Sequence, residues 1–267
     1  MIKLFATDLD GTLLLSGKPI SKENIKAAKL AEEKGVTVTI ATGRMYQAAL
    51  PIARALEIDA PIITYNGALI KSVSGKTLYE NYIAEDLAQE VIKISRSKNW
   101  HLQLYSDDKL YYAEENDFSK KYKSVQNISG NAVGWDGLLD HTAKITKLLS
   151  YSPSKTETKT RRDFFENEFK KYVTVTSSTD YFAEMTNLGV SKASGLKELA
   201  KILGVSIEET MAIGDADNDL PMLKAAGKSI AMGNAAPHVK EAADFVTANC
   251  EDNGFAKAIY DFVLGGK

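Results

Sequence analysis

The stretch IKLFATDLDG, Ile2 to Gly11, decides how the rest of the chain is read. An apolar run that reads as a β-strand, IKLFAT, ends in two carboxylates, Asp8 and Asp10, with one leucine between them. Like charges this close raise each other's pKa unless a cation or a proton intervenes. Strand alternation puts residues two apart on the same side, so both carboxylates are candidates for one bound cation. Gly11 then lets the chain turn sharply away.

Outward from this strand, helix and strand signals alternate. SKENIKAAKLAEEKG reads as a helix, with Ser21 as its N-cap and Gly35 just past its end. VTVTIAT, Val36 to Thr42, is rich in β-branched residues and reads as a strand. MYQAALPIARALEI reads as a helix disturbed at Pro51, and APIITYNG as a third strand ended by Asn66-Gly67. Such repetition implies a parallel sheet covered on both faces. The middle differs. HLQLYS and KLYYAEE read as paired strands around Asp107-Asp108, and VTVTSS and YFAEMTN as a hairpin around Thr179-Asp180. A helical stretch AEDLAQEVIKISRSK precedes the pair, and a second, KTETKTRRDFFENEFKKY, lies between the pair and the hairpin. The first pattern then returns, with a helix ending at Gly204, a strand ETMAIGD, a short helix NDLPMLKAAG, a strand KSIAMG and a closing helix. The expected fold class is α/β: a Rossmann-like parallel-sheet core, residues 1–83 plus 186–267, with an inserted α+β domain, residues 84–185.

Composition excludes several function classes. A formal net charge of -2 over 267 residues gives no electrostatic reason to expect nucleic acid or an anionic membrane as partner. The single cysteine, Cys250, permits no intrachain disulfide and reads as a small buried hydrophobe. The N-terminus lacks a secretory pattern and no stretch is long and apolar enough to span a bilayer, so the expected location is the cytoplasm.

Polar clusters follow three of the strands: DLDG, TGR and GDADND. In an open parallel sheet, ligands bind outside the carboxyl ends of the strands near a switch in strand order. These clusters bring Asp8, Asp10, Asp215, Asp217 and Asp219 to one edge, with Thr42, Arg44 and Asn218. Hard oxygen donors in that number suit Mg2+. No Cys/His grouping suggests zinc. An EF-hand is disfavoured because its loop needs a final glutamate and flanking helices. Two GK[ST] fragments lack the upstream glycine of a P-loop, with Ile70 and Met222 in its place. His101, His141 and His238 are scattered, and nothing near Ser191 supports Ser-Lys catalysis.

Taken together, DLDGTLL, TIATGR, VSK and IGDADNDLPML resemble the four ordered motifs of the haloacid dehalogenase-like superfamily, with the insert between the second and third. About thirty residues separate the first two motifs, too few for the cap that some members place there. The chain therefore resembles the Cof-type branch, which carries a large type IIB cap. The resemblance implies a Mg2+-dependent phosphatase acting on a small phosphorylated metabolite, with a sugar phosphate favoured. It implies Asp8 as the nucleophile that becomes an aspartyl phosphate, and Asp10 as general acid and then base. It implies Mg2+ held by the Asp8 carboxylate, the Asp10 main-chain carbonyl and Asp215, with Asp219 as ligand or support. Thr42, Gly43 and Arg44 would bind the substrate phosphate with Asn218, and Lys192 would neutralise charge on nucleophile and phosphate. Ala193 stands where relatives often have glycine. A phosphomutase of the same superfamily and a non-catalytic phospho-ligand-binding regulator are the alternatives. The expected assembly is a monomer or small homo-oligomer. Glu184, Asn187 and the turns at Asp107 and Asp180 are cap candidates by position alone.

Overall fold

The computed structural model describes residues 1–15 and 17–265; residues 16, 266 and 267, which fall within the expected core ranges, lie outside the described residues. The chain opens with β1 (Leu4–Thr7), α1 (Lys22–Glu33), β2 (Thr37–Ile40) and α2 (Tyr46–Ala55). Ser21 caps α1, its Oγ accepting from the Asn24 amide at 3.1 Å. Helix α2 runs through Pro51 as one continuous helix. The proline removes one backbone donor, and the buried Ala49 and Ala53 keep the helix seated on both sides of it. Next come β3 (Ile62–Thr64), β4 (Leu69–Lys71) and β5 (Thr77–Glu80), a three-stranded sheet that touches the end of β2 through a bridge between Ala41 and Ile63. Strand β4 has no counterpart in the sequence reading.

The middle of the chain supplies α3 (Glu85–Ser97), β6 (Leu102–Ser106), β7 (Lys109–Tyr112), α4 (Asp117–Gln126), β8 (Asn131–Ala132), α5 (Gly134–Leu139), β9 (Ile145–Tyr151), α6 (Lys155–Phe169), β10 (Val173–Thr176) and β11 (Phe182–Asn187). Its six strands form one sheet in the order β10-β11-β9-β6-β7-β8. Asp107 and Asp108 make the two-residue β6–β7 turn with φ of 49° and 56°, the pairing of positive angles that a type I′ hairpin needs. One face of this sheet is apolar: Leu102, Leu104, Leu148, Ala183 and Met185 pack with Val91 and Phe165 of the helices. The alternate face mixes apolar and polar residues, and on it Lys147 pairs with Glu184 at 2.7 Å, fully buried. Helices α4 and α5 add to the sequence reading. At the two ends of this segment, Asn187 Nδ2 donates to Asn81 Oδ1 at 2.6 Å.

The last part supplies α7 (Lys192–Leu203), β12 (Thr210–Gly214), α8 (Leu220–Ala225), β13 (Lys228–Ala231), α9 (Pro237–Glu241), β14 (Phe245–Val246) and α10 (Gly254–Phe262). A five-stranded, all-parallel sheet results, in the order β14-β13-β12-β1-β2. Leu4 and Ala6 of β1 pack with Leu196 and Leu199 of α7 and Met222 of α8. Phe5, on the opposite face, stacks on Phe255 of α10 with ring centroids 5.5 Å apart. Both faces are therefore covered, as a parallel sheet requires. The chain moves from β1 out to β2 and later re-enters at β12 on the other side of β1. Strand order thus reverses between β1 and β12, which is where a ligand crevice forms. By its contacts the chain divides into two units: residues 1–43, 49–79 and 191–267, and residues 44–48 with 80–190. No helix among the described residues is long and apolar enough to cross a membrane.

Candidate active site

The reversal point places Asp8 directly after β1, with its amide bonded to the Ile213 carbonyl of β12 at 3.0 Å. Asp215 follows β12, and Asp219 ends the short turn beyond it. Asp8, Asp215 and Asp219 each offer a carboxylate oxygen, and these lie within 4.8 Å of one another. Three carboxylates this close require cationic company. Lys192 provides some of it. Ser191 caps α7 and forms a reciprocal capping box with Ser194, which fixes Lys192 as the first helical residue. Its Nζ donates to Asp8 Oδ1 at 2.5 Å and to Asp219 Oδ1 at 2.6 Å, and all three side chains are buried.

Asp219 is engaged on both oxygens. Oδ2 accepts from the amides of Asp215 and Ala216, each at 3.0 Å, and so shapes the loop that carries Asp215. Thr12 Oγ1 donates to Asp215 Oδ1 at 2.9 Å and orients it from the β1 side. A Cβ on Gly11, whose φ is +88°, would stand 2.4 Å from Asp215 Oδ2. Only glycine permits this approach as well as the turn. Asn234 Nδ2 donates to the Gly11 carbonyl at 2.9 Å and holds the same turn from outside.

Electrostatics follow from this crowding. Burial lifts the Asp8 carboxyl well above the ordinary range; Lys192 opposes the shift, and the other aspartates reinforce it. Burial, then Asp219, lift Asp215 to about 6, against the Thr12 hydrogen bond and Lys192. Burial acts to lower the Lys192 pKa, but Asp219 and Asp8 outweigh it and hold the ammonium charged. The group is short of positive charge. Hard carboxylate oxygens in that state suit a divalent cation such as Mg2+.

The other expected residues distribute as follows. Asp10 is exposed, one residue beyond the buried Leu9. Thr42 and Gly43 follow β2 in the first unit, and Thr42 is buried. Arg44 groups with the second unit, where burial raises the Tyr122 phenol pKa and the charges of Lys147 and Arg44 oppose that shift. Asn218 donates from Nδ2 to Asn66 Oδ1 at 3.4 Å. Asp217 is exposed and pairs with His238 at 2.5 Å. Within the second unit, Glu184 is held by Lys147 and Asn187 by Asn81.

The sequence marks Asn66 only as the end of a strand. Here it is a buried side chain with φ 56°, packed so closely that a Cβ on Gly43 would lie 2.9 Å from its Oδ1. Its Nδ2 is buried and meets no acceptor among the described residues. A buried donor in that state costs about 1–3 kcal/mol. The adjacent αL-prone Asn-Gly pair was the only sequence signal.

A model of the haloacid dehalogenase-like hydrolase family matches residues 5–259. The chain belongs to this family. YcsE of Bacillus subtilis, named 5-amino-6-(5-phospho-D-ribitylamino)uracil phosphatase, is 33% identical over 264 residues, covering 98% of this chain and 96% of its own. A haloacid dehalogenase-like hydrolase from Bacteroides thetaiotaomicron superposes with a TM-score of 0.88 at 30% identity, covering 98% of this chain and 99% of that one. The subclass IIB sugar phosphatase BT4131 superposes with a TM-score of 0.85 at 25% identity, covering 97% and 98%. The fold is thus the family's parallel-sheet core with an inserted cap, and the chain is a phosphatase of the Cof-type branch.

Proposed function

We propose that this phosphatase hydrolyses a small sugar phosphate or sugar-alcohol phosphate, with Mg2+, through an aspartyl phosphate on Asp8. The observation that carries this reading is the buried Asp8–Lys192–Asp219 arrangement with Asp215 beside it. Asp8 and Asp215, with the Asp10 main-chain carbonyl, would hold the metal, while Asp219 steadies Lys192 and the Asp215 loop. A bound Mg2+ supplies positive charge that lets a phosphate dianion approach a carboxylate. The Asp8 carboxylate attacks phosphorus and the ester oxygen leaves, taking its proton from the Asp10 carboxyl. Asp10, now ionised, takes a proton from water, whose oxygen attacks phosphorus and frees Asp8 and inorganic phosphate. Lys192 balances charge on Asp8 throughout. Thr42 and Gly43 hold phosphoryl oxygens, and Asn218 aligns the group.

The substrate class is supported by two relatives: one is named for a sugar and the other for a ribityl phosphate. The test is a panel of phosphorylated metabolites ranked by kcat/KM, with Mg2+ and without any bisphosphate activator. Turnover should vanish in Asp8→Asn and on chelation with EDTA, and return with Mg2+. Metal-independent hydrolysis, or wild-type turnover in Asp8→Asn, would overturn the assignment.

A further inference from the structure

The turn after β3 touches three of the loops that carry the expected chemistry. The Asn66 amide donates to the Thr42 carbonyl at 3.0 Å. The Asn66 side chain lies against Gly43 and accepts from Asn218. A Cβ on Gly67 would collide with the Ser191 carbonyl at 2.2 Å, so this turn also abuts the start of α7, where Lys192 sits. Asn66 meets these neighbours at two local costs, a left-handed backbone and a buried unpaired amide nitrogen. Local rules are broken where a site requires it. The nitrogen is shut away from solvent, while the oxygen accepts from Asn218.

We propose that Asn66 is a positioning residue for phosphoryl transfer: its Oδ1 fixes the Asn218 amide, and its side chain fixes the Gly43 peptide against which the phosphoryl group is held. This rests on the phosphatase reading above. Asn218 sits on a short 3-10 turn, and Gly43 has no side chain to lock its peptide. The buried Asn66 amide lies between them, with its Oδ1 against Gly43 and 3.4 Å from Asn218 Nδ2. Small errors in such positioning are expensive in rate.

The test compares wild type, Asn66→Gly, Asn218→Ala and the double variant on a chromogenic phosphate monoester with Mg2+. Glycine accepts φ 56° without strain, so Asn66→Gly removes the side chain and leaves the turn intact; thermal unfolding checks this. Asn66→Gly should lower kcat by on the order of ten- to a hundredfold with little change in KM. The double variant should lose less than the product of the two single losses, because Asn66 acts partly through Asn218. Near-wild-type kcat in Asn66→Gly, or losses that multiply in the double variant, would overturn the proposal. A substrate-free readout separates this from the parent reading. In 15N-labelled protein, the Asn218 side-chain amide pair, identified by its disappearance in Asn218→Ala, should shift and exchange faster in Asn66→Gly. An unchanged pair would refute the contact. A responsive pair in a wild-type protein that hydrolyses no phosphate would refute the phosphatase reading and leave the contact standing.

Discussion

Replacing Gly11 by alanine probes Asp215 as a metal ligand without touching a charge. Gly11 has φ +88°, where an L-residue loses about 1–2 kcal/mol. A new Cβ would lie 2.4 Å from Asp215 Oδ2, and ordinary contact begins near 3.4 Å. The carboxylate must therefore retreat by about 1 Å, several times the ~0.2 Å that ligand distances tolerate. Retreat also strains the 2.9 Å bond from Thr12. Gly17 supplies the control: its φ is +74° and nothing lies within 4 Å of a Cβ there. Gly17→Ala thus carries backbone strain alone. In urea unfolding, both variants should lose about 1–2 kcal/mol from that strain, and Gly11→Ala more. In a titration of activity with Mg2+, only Gly11→Ala should need about ten times more metal or beyond. Equal metal requirements in the two alanine variants would refute the placement of Asp215 in the metal shell.

Lys192→Met should leave Asp8 and Asp219 as buried anions and destabilise the metal-free protein by about 3–5 kcal/mol, read by denaturant unfolding; a change below about 1 kcal/mol would mean the two ion pairs are energetically idle. His101 gives a pH prediction remote from the aspartates. Burial, then Arg161, push its pKa from 6.5 to about 4. Asn116 Nδ2, whose Oδ1 is committed to capping α4, faces the ring Nδ1 at 3.1 Å and so favours the unprotonated nitrogen. Between these two pKa values the unfolded chain binds a proton that the folded chain refuses. Stability is therefore complete above pH 6.5 and is lost as pH falls toward 4, by on the order of 2–3 kcal/mol. Both tryptophans, Trp100 and Trp135, lie in this unit, so their fluorescence reports its unfolding. A His101→Asn variant with the same pH dependence as wild type would exclude His101 as its source.

Much of the fold could be read from short-range chemistry. Ser21 and Gly204 mark helix ends because their effects act within one turn. Asp107-Asp108 marks a hairpin because two residues of positive φ suffice to close it. Helices α4 and α5 escaped notice because polar residues and interior glycines blur their apolar faces. Strand β4 is only three residues long and shows no alternation to detect. At the site, the aspartates and Lys192 were legible from motif order. Thr12 on Asp215 and Asn66 on Asn218 were not, because each contact joins residues far apart in the chain and depends on the folded sheet.

The hydrogen bond between Asn187 and Asn81 bears on how such a chain can fold and diversify. Leu4 must find Thr210, roughly 200 residues away, before β1 has its second neighbour. A segment whose ends are clasped 106 residues apart in sequence behaves, once folded, almost as a short connection. It removes about half of the length to be closed, an entropic saving of about 0.6 kcal/mol. The dependence on length is logarithmic, so enlarging or trimming the segment between Asn81 and Asn187 would alter core closure by only tenths of a kcal/mol. The inserted domain is therefore free to change size and surface over evolution while the sheet that carries Asp8 and Asp215 keeps its stability.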